Sequence, residues 1–247
     1  KRALWPRNLK IISPSKTLLK EAQQSPITRM NEIWHLPNPV DTLFWCKQPT
    51  DAARKELDIP VNAFVILFVS AEPVGNPRKG ADLLEEAVRV FAEASRSTQI
   101  VLLGLGYPIN LSRPLPANVV PIMLGRLDSV EMRRAYSAAS ILAITSREDN
   151  LPTVGLEAMS CELPLITFDV PGVAEYVSHG VSGWVVPGLN PVQMGQFLSE
   201  IRKSGSGLSE AGQAARNYVE TQHSFQALAP KYSSFFWNSY SQDQSGG

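Results

Sequence analysis

Ile141-Leu-Ala-Ile-Thr-Ser-Arg-Glu-Asp-Asn-Leu-Pro-Thr-Val-Gly-Leu-Glu-Ala-Met-Ser-Cys-Glu-Leu-Pro-Leu-Ile-Thr-Phe168 reads as an apolar strand, a polar turn, a helix and a second apolar strand. Asn150, Pro152 and Thr153 are helix-start residues, so about four unpaired backbone N–H groups and the positive end of a helix dipole should point out of the turn. Such a start attracts anions. Two carboxylates flank it, Asp149 in the turn and Glu157 on the helix, where Glu157 shares a face with Thr153 four residues before. A nucleotide could rest its phosphates on the N–H groups of Asn150, Leu151, Thr153 and their neighbours in 150–154, while Glu157 accepts both ribose hydroxyls. A plainer reading stands beside this one: acidic residues near a helix start also serve simply to complement its dipole.

Working outward, residues 63–69 are a continuous apolar run, the pattern of a strand buried on both faces. Residues 80–94 place Leu83, Leu84, Ala87, Val88, Phe91 and Ala94 on one helical stripe. A strand over 99–103 ends at Gly104-Leu-Gly106; another follows over 119–124, then a helix over 129–139. After the opening stretch come a short helix near 173–177 and a strand over 183–186. Strand and helix thus alternate about six times, which implies an α/β fold with a doubly wound, Rossmann-like parallel sheet of about six strands.

The flanks are less regular. A strand over 9–13, a helix capped by Ser15 and running to about 24, and a strand over 32–36 are too few to close a core. The Pro-rich segment 37–45 with Pro49 suits a linker, and a short helix covers 51–57. Helices over 191–203 and 208–218 precede a last one from about 224, whose Leu228, Tyr232, Phe235 and Phe236 should pack across onto another element, with 242–247 disordered. The division implied is 1–45 as remnant and linker, 46–220 as the nucleotide-binding domain, and 221–247 as a crossing helix and tail.

Lys+Arg and Asp+Glu both number 23, so net charge offers no argument for nucleic acid. Residues 1–50 nevertheless carry +5, which fits either a surface facing anionic lipid or acceptor, or an ordinary solvated face. Two distant cysteines, Cys46 and Cys161, fit a reducing, cytoplasmic compartment. No run approaches the roughly 20 apolar residues of a membrane span, and the start has neither the apolar core of a signal peptide nor an initiator Met, so the chain looks like a piece of something longer.

Other motifs divide into candidates and exclusions. Arg78 and Lys79, before Gly80, stand where a basic side chain at a strand's C-terminal edge could reach phosphates, although loop cations are as often merely solvated. Gly75 and Gly80 mimic a P-loop, but Ala81 and Asp82 replace its Lys and Ser/Thr. Ile109 stands where a dinucleotide fingerprint needs its third glycine after Gly104 and Gly106. Arg126, after Gly125, lines a ligand or belongs to a turn. His35, His179 and His223 show no metal-ligand spacing, and no G-x-S-x-G occurs. The residues alone therefore stop at an α/β domain that binds an anionic nucleotide.

Asp149-Asn-Leu-Pro152 and Glu157-Ala-Met159 resemble the signature of retaining glycosyltransferases of family four, which have the GT-B fold of two Rossmann-like domains. Ile12-Ser-Pro-Ser15, Pro37-Asn-Pro-Val-Asp41, Arg78-Lys-Gly80, Leu103-Gly-Leu-Gly106, Tyr136-Ser-Ala-Ala139 and His179-Gly-Val-Ser-Gly-Trp184 follow that family's order, so the resemblance covers roughly residues 11–240. It implies that this chain is the C-terminal, donor-binding half, inactive alone. Glu157 would hold the ribose, Asp149 and the following N–H groups the donor sugar, and Lys79 the diphosphate as it leaves. The donor would be a UDP- or GDP-linked sugar, with no metal or other cofactor. A glycan or glycolipid acceptor would enter through the preceding domain, as in polysaccharide assembly at the cytoplasmic face of a membrane, with peripheral membrane contact. The chain departs from the pattern at Ser70-Ala71 (usually Gly-Arg), Asp149 (often Glu), Glu162 (Gly) and Pro171 (Gly). Two alternatives remain open at this point: a nucleotide-sugar-binding pseudoenzyme, and a GT-B sugar-nucleotide epimerase, whose acid and base are not evident in this half.

Overall fold

The computed structural model describes residues 9–70, 77–109, 111–205 and 207–244. Ala71 and Gly75 lie outside them, as do Lys1, Arg2 and Arg7 of the basic N-terminal segment. The chain opens with β1 (Ile11–Ser13), α1 (Lys16–Gln24) and β2 (Ile33–His35), the two strands pairing in parallel with Ile11 opposite Ile33. The Ser15 hydroxyl accepts the Leu18 N–H at 3.0 Å and so starts α1.

After α2 (Thr50–Glu56) the regular part begins: β3 (Phe64–Ser70), α3 (Ala81–Ala94), β4 (Ile100–Gly106), β5 (Val119–Met123), α4 (Ser129–Ala138), β6 (Ile141–Ile144), α5 (Thr153–Ser160), β7 (Leu165–Phe168) and β8 (Gly183–Val186). Three helices follow: α6 (Pro191–Ser204), α7 (Gly207–Gln222) and α8 (Phe225–Gln244). The six strands β3 to β8 form one parallel sheet in the order β5-β4-β3-β6-β7-β8. Helices cover both faces, and Val65, Ile66 and Leu67 of the central strand are fully buried, as the unbroken apolar run requires. The order reverses between β3 and β6, so a crevice opens over the C-terminal ends of these two strands.

Several expectations are corrected. β4 does not end before Gly104 but runs through Gly106, pairing with β3 as far as Ser70. A Cβ on Gly104 would come within 2.3 Å of Met123 Sδ, so this glycine admits a neighbouring side chain across the sheet and does not stop the strand. On α3 the residues Leu84, Ala87, Val88 and Phe91 are buried as read, but Ala94 is exposed. Glu85 and Arg89 are buried in its stead, because they pair at 2.6 Å and bind the 112–114 loop: Glu85 accepts from the Ser112 N–H and hydroxyl, and Arg89 donates to the carbonyls of Arg113 and Pro114. The short helix near 173–177 is a single 3-10 turn, Ala174–Tyr176. The helix expected to end at Tyr218 continues to Gln222, and α8 runs through Gln244, past the point where disorder was expected.

α8 packs against the N-terminal elements. Phe235 meets Trp34 edge-on at 5.5 Å, and the Tyr232 hydroxyl reaches the carbonyls of Leu36 and Pro37 at 3.4 and 3.2 Å. Leu228 and Phe235 are buried, whereas Phe236 stays exposed. The segment before α2 is also held: Arg133 lies over the Phe44 ring at 5.0 Å and donates to the Phe44 carbonyl, and Ser160 donates to that of Trp45 at 2.6 Å. Among the described residues no helix is long and apolar enough to cross a membrane.

Candidate functional site

The sequence after β3 turns through Pro77–Lys79 into Gly80, whose φ of +68° belongs to the left-handed region. A Cβ at Gly80 would lie 1.9 Å from the Thr145 carbonyl oxygen, so only glycine lets the start of α3 approach the end of β6 this closely. The Thr145 hydroxyl completes the junction, 3.1 and 2.9 Å from the carbonyls of Lys79 and Gly80. Lys79 is thereby aimed across the crevice, and its ammonium meets Asp149 Oδ2 at 2.6 Å. Asp149 also accepts from Ser146 Oγ at 3.2 Å and from the Asn150 N–H at 3.0 Å, and Arg78 stands 4.0 Å from its other oxygen. The structure thus brings Arg78, Lys79 and Asp149 together. It adds a pair that the sequence did not announce: Arg147 grips Asp82 with both guanidinium nitrogens at 2.6–2.8 Å, and its hydrogen bonds hold the Asp82 carboxyl below the usual range.

The start of α5 needs the most correction. Of the N–H groups over 150–154, that of Asn150 is taken by Asp149, and that of Leu151 donates to the Gly172 carbonyl at 2.8 Å. Pro152 has none. Leu151 takes a positive φ of 48° with its side chain only 4% exposed, so it is a core residue that shapes the turn and its amide does not face the crevice. Gly172 makes this contact possible, since a Cβ there would lie 2.4 Å from the Asp149 carbonyl oxygen. Thr153 and Val154 are left, among the described residues, as the two amides of the turn without an acceptor. The Asn150 side-chain oxygen, for its part, accepts from the Ser15 hydroxyl, which ties the turn to the start of α1.

One helical turn further, Glu157 lies on the Thr153 face of α5, half-buried. The Tyr136 hydroxyl, itself fully buried, donates to Glu157 Oε2 at 3.0 Å. Burial pushes the Glu157 carboxyl above its ordinary value, and the donated hydrogen bond partly offsets that rise. Arg126, by contrast, is exposed beyond β5 with its guanidinium 5.4 Å from the Tyr107 ring, and no hydrogen bond or ion pair among the described residues joins it to Lys79, Asp149 or Glu157.

Beside the turn lies a cleft of about 420 Å³ between Thr17, Leu18 and Glu21 of α1 and the group Arg78, Asp149 and Asn150. Arg78 lines this cleft with Asp149, which Lys79 also meets, and cations gathered beside a helix start are an arrangement that receives an anion. A carboxylate with an open oxygen sits one helical turn away, an arrangement that receives hydroxyl donors. Among the described residues no group of His, Cys, Asp or Glu side chains could hold a metal ion.

Residues 63–203 match the family model described as "Glycosyl transferases group 1". The D-inositol 3-phosphate glycosyltransferase of Thermobispora bispora is 28% identical over 191 residues, 69% of this chain and 44% of that protein, so the chain spans under half of this relative's length. Among solved structures, Anabaena HepE in complex with UDP-glucose superposes with a TM-score of 0.71 over 90% of this chain and 63% of that one, at 20% identity. The C-terminal domain of LpcC, a glycosyl transferase group 1 family protein of Francisella tularensis, gives 0.60 at 18% identity, covering 75% of this chain and 98% of that domain. At these identities the structural likeness shows the fold, one Rossmann-like domain of the GT-B type.

Proposed function

Because the chain belongs to the group 1 glycosyl transferases, we propose that it is the donor-binding half of a retaining sugar transferase that uses a UDP- or GDP-linked sugar without a metal ion. The observation that carries this reading is the meeting of Lys79 and Arg78 on Asp149, in the loops that follow β3 and β6, just before the open Thr153 and Val154 amides of α5 and the half-buried Glu157 one helical turn on. That is where a doubly wound sheet binds its nucleotide. Glu157 accepts the ribose hydroxyls. Lys79, with Arg78 and the two amides, holds the diphosphate and stabilises the charge that grows on it as the bond to the anomeric carbon breaks. Asp149, next to that diphosphate, orients Lys79 and faces the sugar. The acceptor hydroxyl forms its bond to the anomeric carbon on the face from which the diphosphate departs, and its proton passes to the departing diphosphate oxygen.

The UDP-glucose complex of the structurally similar HepE supports a nucleotide-sugar donor. The name of the curated relative, a D-inositol 3-phosphate glycosyltransferase, supports a phosphorylated acceptor for the other half of the enzyme. The basic N-terminal segment is consistent with work on a glycan or glycolipid at the cytoplasmic face of a membrane. The decisive test is titration calorimetry of this chain with UDP and with GDP. Binding of one of them in the micromolar to millimolar range is expected, and absence of heat with both at millimolar concentration overturns the assignment.

A further inference from the structure

Tyr136 is 1% exposed, and its hydroxyl needs an acceptor inside the protein; the acceptor it finds is Glu157 Oε2 at 3.0 Å. Its ring is fixed from the other side by Trp45, edge-on at 5.7 Å, and the Trp45 carbonyl is in turn bound by Ser160 of the same helix that carries Glu157. The phenol is thereby held in place, and among the described residues Glu157 Oε1 accepts no hydrogen bond.

We propose that Tyr136 is a positioning residue for nucleotide binding, its hydroxyl holding the Glu157 carboxylate so that both ribose hydroxyls can donate to it. This rests on the assignment of Glu157 to the ribose made above. The direction of the electrostatics agrees. Burial favours the neutral acid at Glu157, and the Tyr136 donation is the contact that opposes it. The other titratable group facing Glu157 is Cys161 on its own helix, whose thiol is pushed up to about 12 and stays neutral at working pH. Arg133 and Arg216 act on Cys161 and not on Glu157.

The sign of the pH effect follows. With its folded value raised, Glu157 loses charge as pH falls through that value, and a neutral acid accepts ribose hydroxyls poorly. Removing the Tyr136 hydroxyl raises the folded value further, so binding fails at higher pH than in the wild type.

The test compares wild type and Tyr136→Phe by calorimetry with two probes, UDP or GDP (whichever wild type binds) and its 2′,3′-dideoxy analogue, over a range of pH. The ribonucleotide should weaken about fivefold in the variant, with its acid midpoint shifted upward, while the dideoxy analogue stays within twofold. A carboxyl titration of Glu157 by carbon-13 NMR in the ligand-free proteins should show the same upward shift. Equal weakening of both probes marks a merely structural role and overturns the proposal, as does an unchanged ribonucleotide affinity. Wild type that binds neither nucleoside diphosphate overturns the functional assignment and this inference together.

Discussion

Asp149 and Glu157 are eight residues apart in one turn-and-helix unit, yet they live in opposite surroundings. Asp149 is met by an ammonium at 2.6 Å, a hydroxyl and a backbone N–H, with a guanidinium at 4.0 Å. Glu157 is met by one neutral phenol, its carboxyl partly withdrawn from water. The difference teaches that proximity to a helix start does not by itself define a carboxylate's work. On the function proposed above, one is embedded in a charge cluster that the donor's diphosphate would join, and the other is kept poorly solvated, where ribose hydroxyls would improve its situation.

The contrast can be broken most directly at Glu157. Glu157→Ala should remove about 2–3 kcal/mol of nucleoside diphosphate affinity, roughly 30- to 100-fold, measured by calorimetry at neutral pH; wild-type affinity in this variant would erase the distinction. The charge cluster is probed by Lys79→Met, which strands a nearly buried carboxylate and should lower stability by about 1–2 kcal/mol. Adding Asp149→Asn should recover about 1 kcal/mol of this in a denaturant double-mutant cycle, and zero coupling would mean that the pair is incidental.

Thr153→Pro sharpens the comparison, because it deletes one open amide at a first helical position that tolerates proline, after a residue already extended at ψ 118°. Diphosphate affinity should fall by about 1 kcal/mol while stability moves by no more than about 0.5 kcal/mol. The smallest effect is expected at a third carboxylate just past α5. Glu162 adopts φ +57° and only brushes Lys47 at 3.4 Å, so Glu162→Gly should add about 0.5–1 kcal/mol to stability in chemical denaturation and leave nucleotide affinity unchanged. That backbone angle also explains why the resembled pattern carries glycine here.

The sheet was legible because buried parallel strands must be apolar throughout: the runs at 63–69 and 141–144 admit few other readings. That Arg78 and Lys79 stand near the Asp149 turn was legible too, since both segments follow strands that the alternation pattern places near one crevice, but the ion pair itself was not. Three things were hidden because each depends on a partner far along the chain. The Leu151 amide is consumed by Gly172, a contact that no local spacing encodes. Glu85 and Arg89 look like a solvated pair at i, i+4 until the 112–114 loop closes over them. The Tyr136 donation to Glu157 joins two neighbouring helices whose relative rotation is set by the sheet on which both pack. The only local hint for that last contact was a tyrosine beside three small residues, Ser137, Ala138 and Ala139.

The attachment of the first elements to the sheet has a thermodynamic corollary. The continuous apolar core begins at Val40, and the strand-helix-strand unit before it is joined to the turn by the Ser15–Asn150 hydrogen bond and by Glu175, which accepts from the Lys16 and Thr17 amides at the start of α1. Parting this joint while Trp34 stays packed on Phe235 of α8 wets little hydrocarbon, so it carries a small heat-capacity change and a shallow response to urea. Amide hydrogens of β1 and α1 should therefore exchange through a sub-global opening whose denaturant slope is well below that of β3 and β4. Cooling, which weakens apolar contacts first, should leave this hydrogen-bonded seam comparatively intact.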